Sequence, residues 1–432
     1  MNLREKLLVL YLISISIFRV DLGANKFSFS LTPAIVASLV LFLYLIVYLF
    51  LAKWKNANIL QATFLILITT IGTWFLARTI FFDDILQVKR FILFATIIVG
   101  TGSFFLLLSF SDDITKLIQK FISWSLFIYV AYSALDCYLF FVLKIDYSES
   151  LTQKYPFLDF NVSTISYYFP RLKGAFLDSN IAGYFLISVY LLIKYFKIHQ
   201  NKIWIITLLI LATMSRSAIG VFLFVVVASG VWKNITRIIQ NRNFLISIKK
   251  IVSFSLLIIT FFCASYYIAN NTDLISRAKK SVAARLNDQG GSAEIHYALI
   301  ERGKKLILTD PFKFLFGYGF GSSFLYTQDF FPGNKYANFH SESITLIFET
   351  GIVGYLIYIQ LFLLPFIFCA FYRVKWNDFY AFLILAAMLL QNVFYQQYLF
   401  HYYWLFIGLA WFLLSQNLKN ETSNKIDTAE AK

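Results

Sequence analysis

Residues Asp310 to Leu356 read DPFKFLFGYGFGSSFLYTQDFFPGNKYANFHSESITLIFETGIVGYL. The stretch starts polar and glycine-broken, then turns at His340-Ser341-Glu342 into the beginning of a long apolar helix. A loop that belongs in water and a helix that belongs in lipid therefore meet within a few residues. One of only four histidines in the chain stands at the join. An imidazole titrating near neutrality is well suited to moving protons at such a boundary.

On both sides of this stretch, apolar runs dominate the chain. Of 432 residues, 59% are hydrophobic and 14% charged, whereas about a quarter of a soluble domain is charged. Runs of about 20 apolar residues, each enough for a hydrocarbon core of roughly 30 Å, recur along most of the length. The composition predicts an all-α polytopic membrane protein with about 12 transmembrane helices and a large extracytoplasmic loop. The expected spans are 7–20, 31–52, 58–77, 91–109, 121–143, 180–196, 202–214, 217–232, 251–268, 342–371, 377–395 and 399–415. The first follows Arg4 and Lys6 like a signal peptide, but no A-x-A cleavage site comes after it, so it reads as a retained span. The three cysteines, Cys137, Cys263 and Cys369, all lie inside apolar runs and suggest buried small hydrophobes rather than a disulfide framework.

Orientation follows from lysine and arginine in the short connections. Nineteen fall on the side of the N-terminus and six, including Arg78, Lys89 and Arg90, on the opposite side. Both termini are therefore expected in the cytoplasm. The chain divides into N-terminal transmembrane helices (1–143), a first large periplasmic loop (144–179), central helices (180–268), a second large periplasmic loop (269–341), C-terminal helices (342–416) and a disordered cytoplasmic tail (417–432). The second loop carries nine basic residues against six acidic ones, which suggests an anionic partner outside the membrane. Within it, residues 292–308 have helical spacing, with Ile295, Leu299 and Leu306 on one face, and Pro311 ends that helix. FGYGFGSS (316–323) lacks the strand and basic context of a phosphate-binding P-loop.

A few residues stand out as chemically capable. Arg216, between two short apolar runs in MSRSAIG, is costly near lipid unless it meets an anion or a wet cavity, and its planar fork suits phosphate oxygens. His340 is a credible general base. Glu349, deeper in the helix that follows, orients a partner or pairs with an arginine from another span. In FPRLKGAFLDSNIAGYF (169–185), Arg171 and Lys173 can contact phosphate or sugar, while Asp178 or Asn180 caps the next helix. The loop aromatics, Tyr318 and Phe320 among them, pack the loop onto the membrane face or stack on sugar rings. Outward-facing acidic residues show no metal-ligand spacing.

His340-Ser341, nine residues, Gly351, two residues and Gly354 form a pattern similar to the His–polar–x9–Gly–x2–small signature of O-antigen ligases. Arg302-x3-Leu306 is similar to the ligases' Arg-x3-Leu pattern, and SRSAIG to their Ser/Thr-Arg helix start. RLKGAFLDSN and DPFKFLFGYGFG look like the polymerase branch. The chain thus resembles, over roughly residues 165–395, the O-antigen ligase and polymerase superfamily of bacterial inner-membrane glycan-assembly enzymes. One departure stands out. The family often has an arginine fifteen residues before the loop proline; here that residue is His296, so Arg302 or Arg285 has to supply the charge.

The resemblance implies glycosyl transfer without metal or cofactor on the outer face of the inner membrane, in lipopolysaccharide biosynthesis. The implied donor is an oligosaccharide on undecaprenyl pyrophosphate. His340 would take the proton from an acceptor hydroxyl, and Arg216, with Arg171 or Arg302, would stabilise the departing pyrophosphate. Membrane lipid and a chain-length regulator are the further partners implied, and no nucleic acid. The loop segments favour a polymerase that joins lipid-linked repeat units. The alternatives are a ligase acting on lipid A–core and, from another class, a lipid-linked glycan transporter or flippase. Charges buried at mid-span or discontinuous helices in paired halves would favour transport.

Overall fold

The computed structural model describes residues 2–22, 31–51, 59–80, 83–111, 113–143, 145–155, 158–160, 162, 164–165, 169–241, 292–330, 337–372 and 379–430. The expected span 251–268, with Cys263, and the candidate Arg285 lie outside the described residues. The helices are α1 (Leu3–Ser14), α2 (Pro33–Leu51), α3 (Ile59–Thr79), α4 (Ile85–Leu108), α5 (Ile114–Tyr138), α6 (Ile145–Lys154), α7 (Ser179–Phe196), α8 (Ile203–Ala212), α9 (Arg216–Asn241), α10 (Ser292–Thr309), α11 (Pro311–Phe316), α12 (Glu342–Tyr372), α13 (Phe379–Phe394) and α14 (His401–Glu430). Among the described residues, extended pairing is confined to β1 (Thr164–Ile165) with β2 (Phe169–Pro170) and a bridge between Val20 and Leu158.

Among the described residues, five helical stretches are long and apolar enough to cross a membrane: Ile59–Thr79, Ile85–Leu108, Ile114–Leu143, Ser179–Phe196 and Glu342–Phe368. Four shorter apolar helices accompany them: Pro33–Leu49, Gln200–Ala212, Arg216–Trp232 and Phe379–Phe394. The chain is a multi-pass, helical membrane protein. The expected first span, 7–20, is corrected: α1 stops at Ser14, and its 12 residues reach only about 18 Å. The chain leaves the helix because the backbone N–H groups of Phe18 and Arg19 bond the carbonyl of Ala175 (2.8 and 3.1 Å). Helix α4 begins six residues earlier than expected, fixed by a capping box in which Asp84 and Gln87 exchange side-chain and backbone bonds. The tail from 417, expected to be disordered, continues α14 to Glu430. A helix already nucleated extends at little cost through Lys, Glu and Ala.

The first half of α14, His401–Ser415, is buried on every side and packs against α3, α4, α7, α12 and α13. Lipid is as apolar as these side chains, so close packing and satisfied polar groups hold such a bundle together. Trp404 lies edge-on to Phe94 (5.6 Å), and Trp411 packs on Phe64 (5.5 Å). Their indole N–H groups donate to the carbonyls of Tyr398 and Leu361, each at 2.8 Å. The carboxylate of Glu342, fully buried at the start of α12, accepts from the Tyr358 hydroxyl and from the backbone N–H groups of Gln397 and Tyr398. That carboxylate pins the α13–α14 connection against the start of α12, directly after His340.

Candidate functional site

The site is built around a break in α12. At Gly351 the backbone turns to φ 73°, ψ 171°, which ends the intrahelical ladder and frees the carbonyls of Phe348, Glu349 and Thr350. Each finds a donor: the N–H groups of Tyr318 (2.7 Å) and Gly319 (3.0 Å), and the indole of Trp74 (3.0 Å). The FGYGFG turn is thus the C-terminal cap of a half-helix. A side chain at Gly351 would put a Cβ 2.0 Å from the carbonyl oxygen of Leu315, and one at Gly317 would meet the Glu349 carbonyl at 2.5 Å. Arg78 and Arg90, read from sequence only as orientation charges, donate to the carbonyls of Gly317 (3.1 Å) and Gly321 (2.7 Å). Arg90 also lies over the Phe324 ring at 4.7 Å.

Ahead of the half-helix, His340 sits in the left-handed region with φ 53°, an uncommon conformation for a side-chain-bearing residue. The Asn338 side-chain oxygen holds it there by accepting the His340 backbone N–H at 2.7 Å. Such strain clusters at functional sites. The turn presents the imidazole to His296 of α10, with ring centres 4.1 Å apart and planes 19° from parallel. Its other neighbour is Tyr395, edge-on at 6.2 Å. Burial, and then the facing His296, lower the His340 pKa to about 4. The ring is neutral at pH 7 and carries a lone pair ready to take a proton.

Tyr395 links the histidines to the first loop. Burial and the charge of Asp178 push its phenol above the ordinary range, with Tyr184 adding and Arg171 opposing. Arg171, at the end of β2, donates from Nε to the Thr213 carbonyl (3.2 Å) and from Nη2 to Asn180 Oδ1 (3.4 Å). The same Asn180 oxygen accepts the Ser215 hydroxyl at 2.6 Å. Arg216 comes next in the chain, exposed, as the first residue of α9. Two groups of contacts result, one joining His296, His340 and Tyr395 and the other joining Arg171, Asn180 and Ser215 beside Arg216, and the charges of Asp178 and Arg171 act on Tyr395 between them. Asp178 caps α7, accepting the Asn180 N–H at 2.6 Å.

Other candidates from the sequence lie elsewhere. Lys173 is 3% exposed, and its ammonium meets Asp159 at 2.9 Å. Burial lowers its pKa, and Asp159 opposes the shift. Beside it, Arg19 binds Asp136 at 2.5 Å and the backbone carbonyls of Asp159 and Gly174. Lys173 thus belongs to a buried ion network and not to the histidine cluster. Arg302, on the exposed side of α10, faces Asp329 at 3.6 Å. Glu349 takes the Tyr398 hydroxyl (2.6 Å) and the Ser323 N–H (3.2 Å), so it braces the loop rather than pairing with an arginine. Helix α10 forms as expected, with Leu299 buried but Ile295 39% exposed. Pro311, expected only to end it, also opens α11 behind the Asp310 cap.

Sequence reading passed over Tyr395 and Asn338, and met Ser215 only as part of the SRSAIG helix start. Asn338 was legible, because an Asn two residues ahead of a constrained residue is an Asx-turn signal. Tyr395 was not, since NVFYQQYLFHYYWLF offers four tyrosines and phenylalanines before His401 with nothing to rank them.

Comparison with known proteins bears on this part of the chain. Residues 203–359 match the family model described as O-antigen ligase, so the chain carries a domain of the O-antigen ligase and polymerase superfamily. The matched segment contains Arg216, His296, Arg302, His340, Glu349 and the break at Gly351, while Arg171 lies ahead of it. No curated protein matches the chain.

Proposed function

We propose that the protein is an O-antigen polymerase, joining repeat units carried on undecaprenyl pyrophosphate by inverting glycosyl transfer without a metal ion. The observation that supports this reading is the His340 turn, which sets a neutral imidazole against His296 and Tyr395 within reach of the first loop's charges on Tyr395, those of Asp178 and Arg171. His340 accepts the proton of the acceptor hydroxyl as the new C–O bond forms at the anomeric carbon. The bond from that carbon to the pyrophosphate oxygen breaks, and its electron pair leaves with the pyrophosphate toward Arg171 and Arg216. Charge stabilisation of this kind is commonly worth about 3 kcal/mol per contact.

In this reading the cluster faces the periplasm and the chain crosses the inner membrane several times. The name of the matched family favours a second reading, transfer of the same donor's glycan to lipid A–core. The break in α12 is a feature of transporters too, but here the cap supplied by residues 317–319 accounts for it. In a strain lacking this chain, single repeat units attached to lipid A–core without a length ladder support the polymerase. Lipid-linked polymer left unattached supports the ligase. The purified chain forming no glycosidic product from lipid-linked donor would sink both.

A further inference from the structure

The chain entering α7 has two faces. Leu177, Asp178 and Ile181 line a cleft of about 290 Å³ that Tyr395 also borders. Asn180 and Gly183, one helical turn apart, face instead the turn between α8 and α9. Gly183 lets the backbone of α7 approach it: a Cβ there would stand 2.5 Å from the Ala218 side chain and 3.3 Å from Thr213 Oγ1. The turn is strained and enclosed. Met214 adopts φ 50°, uncommon for a residue with a side chain, and Thr213 and Ser215 on either side of it are fully buried.

Asn180 joins this turn to the first loop through a single atom. Its Oδ1 accepts from Arg171 Nη2 at 3.4 Å and from the Ser215 hydroxyl at 2.6 Å. A guanidinium only donates, so the amide atom facing it is the oxygen. That oxygen only accepts, so Ser215 gives its proton to Asn180 and keeps its lone pairs for the Ala218 N–H (3.2 Å) in the first turn of α9. Arg171 reaches the same turn at the Thr213 carbonyl, 3.2 Å from Nε. Arg216 follows Ser215 as the first residue of α9, where the helix dipole is positive. One oxygen thus holds the Arg171 guanidinium and the Arg216 end of α9 in a fixed relation to each other. An aspartate could accept the same two bonds, but its charge would repel an anion arriving there. Asparagine supplies the acceptor without the charge.

We propose that Asn180 is a positioning residue for the transfer, a neutral acceptor that aligns Arg171 with the Arg216 end of α9 before the diphosphate departs. The proposal rests on the glycosyl-transfer reading above. The test uses the purified full chain in detergent, with inorganic pyrophosphate as the probe in calorimetry and turnover of lipid-linked donor measured beside it. Asn180→Ala should weaken pyrophosphate binding, and lower kcat/KM on the donor, about tenfold, as expected when a charge-assisted hydrogen bond loses its alignment. In an Arg171→Gln background the same change should cost less than about twofold, because the group it acts through is gone. Asn180→Asp keeps both hydrogen bonds and the thermal midpoint, yet should weaken pyrophosphate at least about tenfold by like-charge repulsion. That variant carries the test if Asn180→Ala unfolds. Wild-type affinity in Asn180→Asp, or equal losses from Asn180→Ala in both backgrounds, would show a merely structural amide and overturn the proposal. Wild type that binds no pyrophosphate overturns it too. The expected coupling in a wild type that forms no glycosidic product would instead sink the transfer reading, so the two failures are read separately.

Discussion

Arg171 and Lys173 stand two residues apart in the same loop, and the structure gives them opposite surroundings. The Arg171 guanidinium donates to the Thr213 carbonyl and to the Asn180 amide oxygen, next to the turn that carries Arg216. The Lys173 ammonium meets the carboxylate of Asp159 within the network that contains Arg19 and Asp136. One region is arranged around Tyr395 at the mouth of a cleft; the other locks the residue after α1, α5 and the first loop together. Two basic residues in one segment are thus not two halves of an anion site. A buried charge matched by a partner braces the fold, and losing that partner is expensive.

If this contrast is right, variants on the two sides should fail in different ways. His340→Ala should give the largest effect, a loss of about 10²–10⁴-fold in turnover on lipid-linked donor, the usual contribution of a general base, with the thermal midpoint little moved. Asp136→Ala should show the reverse. It strands Arg19 and should cost about 3–5 kcal/mol of stability, measured by thermal unfolding in detergent. Arg171→Gln should lower kcat/KM about 10²-fold or more, as when one charge-stabilising donor is removed, without lowering the thermal midpoint. Lys173→Met should cost about 3 kcal/mol of stability, because it takes a buried partner from Asp159, and should leave kcat/KM near wild type. A large kcat/KM loss from Lys173→Met at unchanged stability would place that lysine at the site after all.

The smallest effect is one of pH. His340 is held neutral, with its pKa lowered to about 4 by burial and by His296. Its acid limb in the kcat/KM profile, which reports the free enzyme, should therefore lie near pH 4 and not near the free-imidazole value of about 6.5. The sign for stability follows from the same shift. Between these values the unfolded chain binds the proton and the folded chain does not, so stability from this group falls as pH drops from about 6.5 toward 4. His296→Ala removes the second cause and should raise the limb toward neutrality. A limb that stays put would assign the shift to burial alone.

How much of this was legible beforehand varies from residue to residue. The start of α12 at Glu342, the helix from Ser292 and the histidine at the loop–helix junction were all readable, because apolar periodicity and a proline are local signals. The early end of α1 was not, since a carbonyl more than 150 residues away, that of Ala175, competes for its backbone. The role of Gly351 was half legible. Its spacing from His340 matched a family pattern, but the reason for glycine there, the carbonyl of Leu315 pressed against its Cα, is a contact between elements.

By itself, the sequence determined the class of molecule. Hydropathy and charge placement act residue by residue, and they dictate a multi-pass helical protein with its polar chemistry gathered in loops. Which cations serve a ligand and which serve the fold was decided only in three dimensions. Burial and pairing depend on what folding brings to face each side chain, and neither Asp159 opposite Lys173 nor Tyr395 beside His340 leaves a mark in the order of the residues.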